Sequence, residues 1–149
     1  MKTLSVWSRV RCGVTLLVCA SAFAAVGAQS PFGLKVERMK SADDAQAEVR
    51  ITLSVPSNHL IYAETFKVSA APLQVPKPEN KPDPINPSQR VGVYTDTFES
   101  RWRVAPLRDG AALTVAYQGC DDTVCFMPES HAFRYDAASG RFVAAPDEA

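Results

Sequence analysis

The sequence predicts an all-β chain with an immunoglobulin-like β-sandwich fold. Apolar and polar residues alternate with a period of two in several short runs, and turn signals separate these runs at short intervals. After the N-terminal leader, no stretch of ten or more residues has convincing helical periodicity. Six to eight short strands of this kind are typical of an immunoglobulin-type sandwich.

The first 28 residues are predicted to be a cleaved secretory signal peptide. Lys2, Arg9 and Arg11 form a basic region, an apolar run follows from residue 14 to residue 26, and Ala28 precedes the expected cleavage site. The run is shorter than the roughly 20 residues that a membrane-spanning helix needs. We therefore expect export, periplasmic localisation and no stable membrane insertion, with residues 29–149 forming one domain. A lipoprotein leader would need a small residue before Cys19, where the sequence has a bulky valine.

The predicted strands follow one another along the mature chain. The first two, residues 33–39 and 48–55, alternate cleanly, and a turn at residues 56–58 leads to an apolar and aromatic third run. Because each of these runs has one apolar face, we expect that face to pack on a core. The third run comprises residues 59–62 followed by 66–68, and the later runs are residues 91–94, 97–104, 112–117, 131–135 and 142–143.

A proline-rich segment interrupts this pattern between residues 72 and 87, where six prolines are spread among polar residues. Proline lacks an amide donor and fixes φ, so this segment cannot be a central strand. We predict a long, stiff surface loop that is either functional or a plain linker.

Charge restricts the class of partner. The leader holds three of the 16 basic residues and none of the 16 acidic ones, so the mature chain has a net charge of −3. It has no basic run. Nucleic acid and anionic membrane surfaces are therefore not expected as partners, whereas a protein or a small molecule is.

Cys120 and Cys125 are the two cysteines that remain once the leader is removed, and four residues separate them. In an exported protein this pair favours a disulfide. The spacing is neither that of a C-x-x-C motif nor that of a zinc knuckle, and a Cys2His2 zinc site would need both His59 and His131 to converge. A Cu(I) site that also uses Met127 is a further alternative.

A disulfide that closes so short a loop stabilises the fold only a little, so a structural role is a poor explanation for it. The closure of six residues stabilises a fold by roughly 2 kcal/mol, less than a longer loop would. Exchange needs two close sulfurs, at least one of which a partner can reach. We therefore expect both cysteines to be exposed at the end of the predicted strand 112–117.

The two sulfurs are expected to have different roles. Asp121 and Asp122 place negative charge beside Cys120 and disfavour its thiolate, whereas Cys125 has apolar neighbours. We predict that Cys125 bonds the partner and that Cys120 resolves the mixed disulfide.

The segment Tyr-Gln-Gly-Cys at residues 117–120, followed by Cys-Phe-Met-Pro-Glu at residues 125–129, resembles the active site of the N-terminal periplasmic domain of DsbD, the membrane thiol:disulfide interchange protein. The resemblance implies an immunoglobulin-like fold, thiol:disulfide interchange without a cofactor, a link to cytochrome c biogenesis, and mixed disulfides at the second cysteine. The implied partners are thioredoxin-fold periplasmic proteins and a separate membrane electron donor. It also places Tyr62 near the active site.

The chain departs from that family at two points. The family commonly has five residues between its cysteines, and it covers the disulfide with a cap loop that bears a phenylalanine. The matching region here, residues 83–90, has no aromatic residue and offers only Ile85 as a shield.

The remaining site residues have alternative interpretations. Tyr62 and Tyr117 either shape the site or are core residues with a solvated hydroxyl. Phe126 either lines a docking surface or packs at a strand edge, and Pro128 fixes the exit of the turn. The alternative to exchange is an exported binding module with an inert disulfide. The residues expected to shape the site are Tyr62, Tyr117, Asp121, Asp122, Phe126 and Pro128.

Overall fold

A computed structural model describes residues 30–40 and 46–146, so the predicted leader lies outside the described residues. Within these two ranges the regular structure is β throughout, which confirms the all-β prediction, and there is no helix long and apolar enough to cross a bilayer. The strands are β1 (Gly33–Met39), β2 (Ala47–Ser54), β3 (His59–Tyr62), β4 (Lys67–Val68), β5 (Ala71–Gln74), β6 (Glu79–Pro82), β7 (Arg90–Tyr94), β8 (Phe98–Val104), β9 (Ala112–Tyr117), β10 (Gly119–Asp121), β11 (Glu129–Asp136) and β12 (Arg141–Ala144).

The described strands number twelve, more than the six to eight expected from the sequence. They form three antiparallel four-stranded sheets with the orders β1-β2-β8-β5, β10-β3-β7-β6 and β12-β11-β9-β4. Three strands that the sequence did not predict, β5, β6 and β10, have only three or four residues. Strands this short contain too few residues to display an alternating pattern, so the sequence does not reveal them.

The first sheet supplies the clearest core face. Val49, Ile51 and Leu53 on β2 are fully buried and lie opposite alternate residues of β8. Burying each of these aliphatic side chains stabilises the fold by about 1.5–3 kcal/mol. Ser100 is a buried polar residue on the facing strand, and Trp102 Nε1 donates a hydrogen bond to its Oγ (2.8 Å). The alternation that predicted these strands therefore corresponds to burial on one face.

Gln118 is the residue at which the chain passes from the third sheet to the second. It separates β9 from β10, and its carbonyl accepts a hydrogen bond from the Tyr62 amide (3.0 Å). Its own amide donates to Thr65 Oγ1 (2.9 Å). Because of this crossing, Cys120 does not extend β9. It lies on a separate strand that pairs with β3.

The proline-rich segment is more regular than the predicted loop, because it contains β5 and β6. Each of these strands lies at the edge of its sheet, β5 beside β8 and β6 beside β7. An edge strand tolerates proline since one side of it needs no amide donor. The prediction that this segment is not a central strand therefore holds, while the prediction of a continuous loop is wrong.

Candidate functional site

Cys120 and Cys125 form a disulfide within a tight turn, residues 119–126, which we call the cysteine hairpin. Their Cα atoms are 3.9 Å apart. The Asp121 amide donates to the Val124 carbonyl and the Phe126 amide to the Gly119 carbonyl, each at 2.9 Å, so one hydrogen bond lies on either side of the cysteine pair. In an antiparallel hairpin this is the non-hydrogen-bonded pair, in which the two side chains are closest. The four-residue spacing thus puts both sulfurs at facing positions.

The two cysteines differ in exposure. Cys120 is 0% exposed and packs with Tyr62 and Val93, whereas Cys125 is half-buried at the edge of the same cluster. The prediction that both are exposed is therefore wrong for Cys120. The reason is that Cys120 pairs with Leu60 on β3 and so lies inside the second sheet.

Two apolar side chains beside Cys125 are open to solvent. Val124, which precedes the half-buried Cys125, is 53% exposed, and Met127, two residues after it, is 83% exposed. The segment that contains Cys125 therefore presents apolar side chains to solvent.

Tyr62 joins the disulfide to the segment that follows β6. Its hydroxyl donates to Asp83 Oδ1 (2.9 Å), and its hydroxyl oxygen lies 3.7 Å from Cys125 Sγ. Burial, together with the hydrogen bond and negative charge of Asp83, raises the pKa of Tyr62 to about 12. The hydroxyl therefore keeps its proton at neutral pH and is engaged rather than solvated.

Asp83 is a site residue that the sequence analysis did not identify as such. Its carboxylate accepts the Ile85 amide (2.9 Å), and this bond is the main reason why the pKa of Asp83 lies below its ordinary value. Ile85 itself is 69% exposed, so the expected shield buries little of its own surface. A carboxylate contacts the site from this segment, which lacks the aromatic cap of the family and had offered only Ile85 as a shield. The only signal was an aspartate at the start of the region matched to the cap loop.

Phe32 fills the other side of the cysteine hairpin. Its ring makes edge-to-face contacts with Tyr117 (centroids 6.0 Å apart), Phe126 (5.8 Å) and His59 (5.8 Å). It also lies directly against Gly119, where a side chain would overlap the ring. Of the two interpretations of Phe126, this geometry favours packing, since His59 also stacks on it at 5.9 Å. Phe32 precedes the first alternating run, so nothing in the local pattern reveals its position.

Tyr117 is buried, and its hydroxyl belongs to a polar network on β11. It donates to Glu129 Oε2 (3.1 Å), and His131 Nε2 lies 3.0 Å from the same carboxylate oxygen and 3.2 Å from the hydroxyl. Ser30 Oγ donates to the other oxygen of Glu129. Burial and the adjacent Glu129 charge raise the pKa of Tyr117. This hydroxyl is therefore held by the third sheet.

The turn residues complete the site. Asp121 Oδ1 accepts hydrogen bonds from the Thr123 amide (2.7 Å), the Val124 amide (2.7 Å) and Thr123 Oγ1 (2.8 Å). These bonds lower the pKa of Asp121. Asp122 is exposed and forms no hydrogen bond with another described residue, and Pro128 is exposed where the chain leaves the hairpin.

The two histidines that a Cys2His2 zinc site requires have other partners. His59 Nδ1 lies 2.8 Å from the Ser57 carbonyl, and His131 contacts Glu129. Within residues 30–40 and 46–146, no group of three or more His, Cys, Asp or Glu side chains is arranged to hold a metal ion.

The sequence matches the family model described as "Thiol:disulfide interchange protein DsbD, N-terminal" over residues 33–137, a span that includes the whole cysteine hairpin. Among solved structures, the chain is similar to the DsbD N-terminal domain of Neisseria meningitidis in its reduced form. The two share 19% sequence identity with a TM-score of 0.54, and the match covers 74% of this chain and 90% of that one. That domain has an immunoglobulin-like fold, which confirms the predicted fold class. No curated protein matches the chain.

Proposed function

Since this chain belongs to the family of the N-terminal domain of the thiol:disulfide interchange protein DsbD, we propose that it is a thiol-disulfide exchange module. Electrons pass between redox proteins through the Cys120–Cys125 pair. The observation that carries the proposal is the asymmetric disulfide in the cysteine hairpin, in which Cys120 is fully buried and Cys125 is only partly buried. A disulfide of this kind can react at one end and be re-formed from within.

The reaction uses the sulfurs in a fixed order. In the reduced protein, the Cys125 thiolate attacks a partner disulfide and releases one partner thiolate. Cys120 then attacks Cys125 Sγ, which restores the internal disulfide and releases the second partner thiolate. Two electrons move to the partner, and both thiol protons leave the protein. The reverse sequence reduces the module.

Tyr62 and Asp83 assist at Cys125. The Tyr62 hydroxyl donates a hydrogen bond to Asp83 while the disulfide is formed, and it lies close enough to Cys125 Sγ to donate to that sulfur once Cys125 is a thiolate. The lowered pKa keeps Asp83 ionised at neutral pH and suits it to orient the hydroxyl. A hydrogen bond from Tyr62 favours the ionised form of Cys125, which is the form that attacks the partner disulfide.

The partners are thioredoxin-fold proteins of the periplasm, with a separate membrane electron donor. Val124 and Met127 support a protein partner, because two exposed apolar side chains lie within two residues of Cys125 in the sequence. Export through the cleaved leader, residues 1–28, delivers the chain to an oxidising compartment in which this disulfide forms.

Trapping of the mixed disulfide tests the proposal. A Cys120→Ala variant, reduced and mixed with a periplasmic thioredoxin-fold protein that retains only the exposed cysteine of its C-x-x-C pair, activated as a mixed disulfide with thionitrobenzoate, should release thionitrobenzoate and form a covalent complex at Cys125 that mass spectrometry identifies. The matched Cys125→Ala variant should form much less, because Cys120 is enclosed.

Two outcomes favour the alternatives. If no complex forms and the native disulfide has a potential below about −300 mV, the bridge is structural and the domain is a binding module. If the reduced protein retains Cu(I) against a chelator, a copper-handling role replaces exchange.

A further inference from the structure

The tip of the cysteine hairpin depends on a single side chain. The turn of residues 121–124 is closed by one backbone hydrogen bond, from the Asp121 amide to the Val124 carbonyl. The Asp121 carboxylate adds three hydrogen bonds, all to the far half of the turn, at Thr123 and Val124. An aspartate at the first position of a tight turn forms such bonds readily. Asp121 therefore ties together the two arms on which the cysteines lie.

The second arm has few other attachments to the described fold. Cys120 belongs to β10 and pairs with β3, but Cys125 lies outside the twelve strands, and its pairing with Cys120 is an isolated bridge. Beyond the turn, two hydrogen bonds hold this arm: the Phe126 amide donates to the Gly119 carbonyl (2.9 Å), and Gln118 Nε2 donates to the Phe126 carbonyl (3.1 Å). Once the disulfide is reduced, these bonds, the packing of Phe126 against Phe32 and His59, and the Asp121 carboxylate keep Cys125 opposite Cys120.

The position of Cys125 opposite Cys120 is important for exchange, because the attack of Cys120 on the mixed disulfide is an intramolecular step. Cys120 must reach Cys125 Sγ from within the hairpin, and the rate of such a step depends on how often the two sulfurs adopt the reacting geometry. A loosened turn lets the Cys125 arm move away from an enclosed partner that cannot follow it. The mixed disulfide would then persist.

We propose that Asp121 is a positioning residue for the exchange reaction: its carboxylate keeps the reduced hairpin closed, so that Cys120 resolves the mixed disulfide at Cys125. This inference rests on the proposed function. It assigns Asp121 a role through hydrogen bonds, whereas the sequence analysis assigned it a role through charge. Asp122 has the same charge one residue further along and is exposed to solvent without a described hydrogen bond.

Three variants separate hydrogen bonding from charge. Asp121→Ala removes both the charge and the three hydrogen bonds, Asp122→Ala removes only a charge, and Asp121→Asn removes the charge but keeps an oxygen that accepts the same bonds.

The reduced proteins are mixed with the small aromatic disulfide 5,5′-dithiobis(2-nitrobenzoate). Cys125 attacks it, releases one thionitrobenzoate and keeps the other as a mixed disulfide. Cys120 then releases the second thionitrobenzoate as the internal disulfide forms. Each release is followed by absorbance, so the second, unimolecular step is measured without any protein partner.

In Asp121→Ala we expect the second release to be about fivefold slower than in Asp122→Ala, the change that the loss of one ordinary hydrogen bond gives. Asp121→Asn should stay within about twofold of the wild type. The equilibrium with dithiothreitol should follow the same order, since a less well held dithiol forms its disulfide less readily.

Equal second-step rates in Asp121→Ala and Asp122→Ala would overturn the inference. If Asp121→Asn is as slow as Asp121→Ala, the effect is one of charge and the inference is equally wrong. The melting temperatures of the oxidised variants show whether each of them folds. These results are independent of partner trapping, so the proposed function can fail while the role of Asp121 stands, and the reverse also holds.

Discussion

Replacement of Gly119 by alanine should disrupt the contact on which the cysteine hairpin rests. Gly119 is buried in β10, pairs with Ile61 and immediately precedes Cys120. A Cβ at this position would overlap the ring edge of Phe32 and lie 2.8 Å from the Leu60 carbonyl oxygen. Non-bonded carbon atoms normally lie about 3.5–4.0 Å apart. Either the ring must leave its place, or β10 must move away from β3.

The geometry also gives the size of the effect. Overpacking of a filled site costs about 1–3 kcal/mol, and displacement of the nearly buried Phe32 ring forfeits part of the roughly 1.5–3 kcal/mol that its burial contributes. Because the protein can take only the less costly of the two routes, we expect the free energy of unfolding to fall by about 2–3 kcal/mol. That is a large share of a typical domain stability of about 5–15 kcal/mol.

Urea unfolding of the oxidised protein measures this change. Gly33→Ala is the control, because its Cβ would meet only the side chain of Ser54 at 3.2 Å, and we expect a change within about 0.5 kcal/mol. Phe32→Ala added to Gly119→Ala should relieve the overlap, so the double variant should lose at least about 1 kcal/mol less than the sum of the two single losses. The reasoning is refuted if Gly119→Ala is as stable as Gly33→Ala, or if the two losses simply add.

Three further outcomes are expected. Tyr62→Phe removes the hydroxyl between Asp83 and Cys125 and should slow the first step of exchange at pH 7 by about tenfold, as measured by stopped-flow with an aromatic disulfide. Because the pKa of Asp83 is lowered in the folded protein, its contribution to stability is present above about pH 4 and is lost as the pH falls through the folded-state pKa. In Asp83→Asn, the free energy of unfolding should therefore fall less steeply as the pH is lowered; this decrease at low pH is the acid limb of the stability curve. Reduction of the Cys120–Cys125 disulfide should lower the free energy of unfolding by only about 2 kcal/mol in urea.

Each of these outcomes has a control. Tyr94→Phe loses a hydroxyl that donates to the Pro76 carbonyl (3.0 Å), and the tyrosine prediction fails if this variant is slowed equally. Asp122→Asn should leave the acid limb unchanged, and an unchanged limb in Asp83→Asn would contradict the assignment of its hydrogen bonds. A loss of more than about 4 kcal/mol on reduction, twice what closure of so short a loop gives, would show that the bridge is a principal support of the fold.

The strands that could be predicted from the sequence are those whose own residues alternate between apolar and polar. β2, β8 and β9 each have one face more buried than the other, so period-two alternation identifies them. β5 and β6 contain prolines and are mostly exposed, and their strand character comes from the neighbours that pair with them. Such pairing depends on residues distant in sequence, which a local pattern does not contain.

The site residues likewise fall into those that a local sequence pattern predicts and those that depend on distant parts of the chain. The pairing of Cys120 with Cys125 could be expected from residues 117–129, because their close spacing is a local property. The burial of Cys120 could not, since it follows from the crossing at Gln118 and the pairing with β3. Asp83 and Phe32 join the site from segments that are distant in sequence, so their positions are set only in the folded chain.

The enclosure of Cys120 also fixes how many covalent links one molecule can form. A protein with two reachable thiols can join two neighbours at once, and under oxidation it can grow into disulfide-linked chains. Of the two cysteines in residues 30–40 and 46–146, only Cys125 is partly exposed, so under the proposed exchange this pair can be joined to one other protein at a time. Even a crowded, oxidising compartment would then yield at most pairs through this site, and closure of the internal disulfide by Cys120 would release each pair. The burial of Cys120 would thus make the cysteine hairpin monovalent.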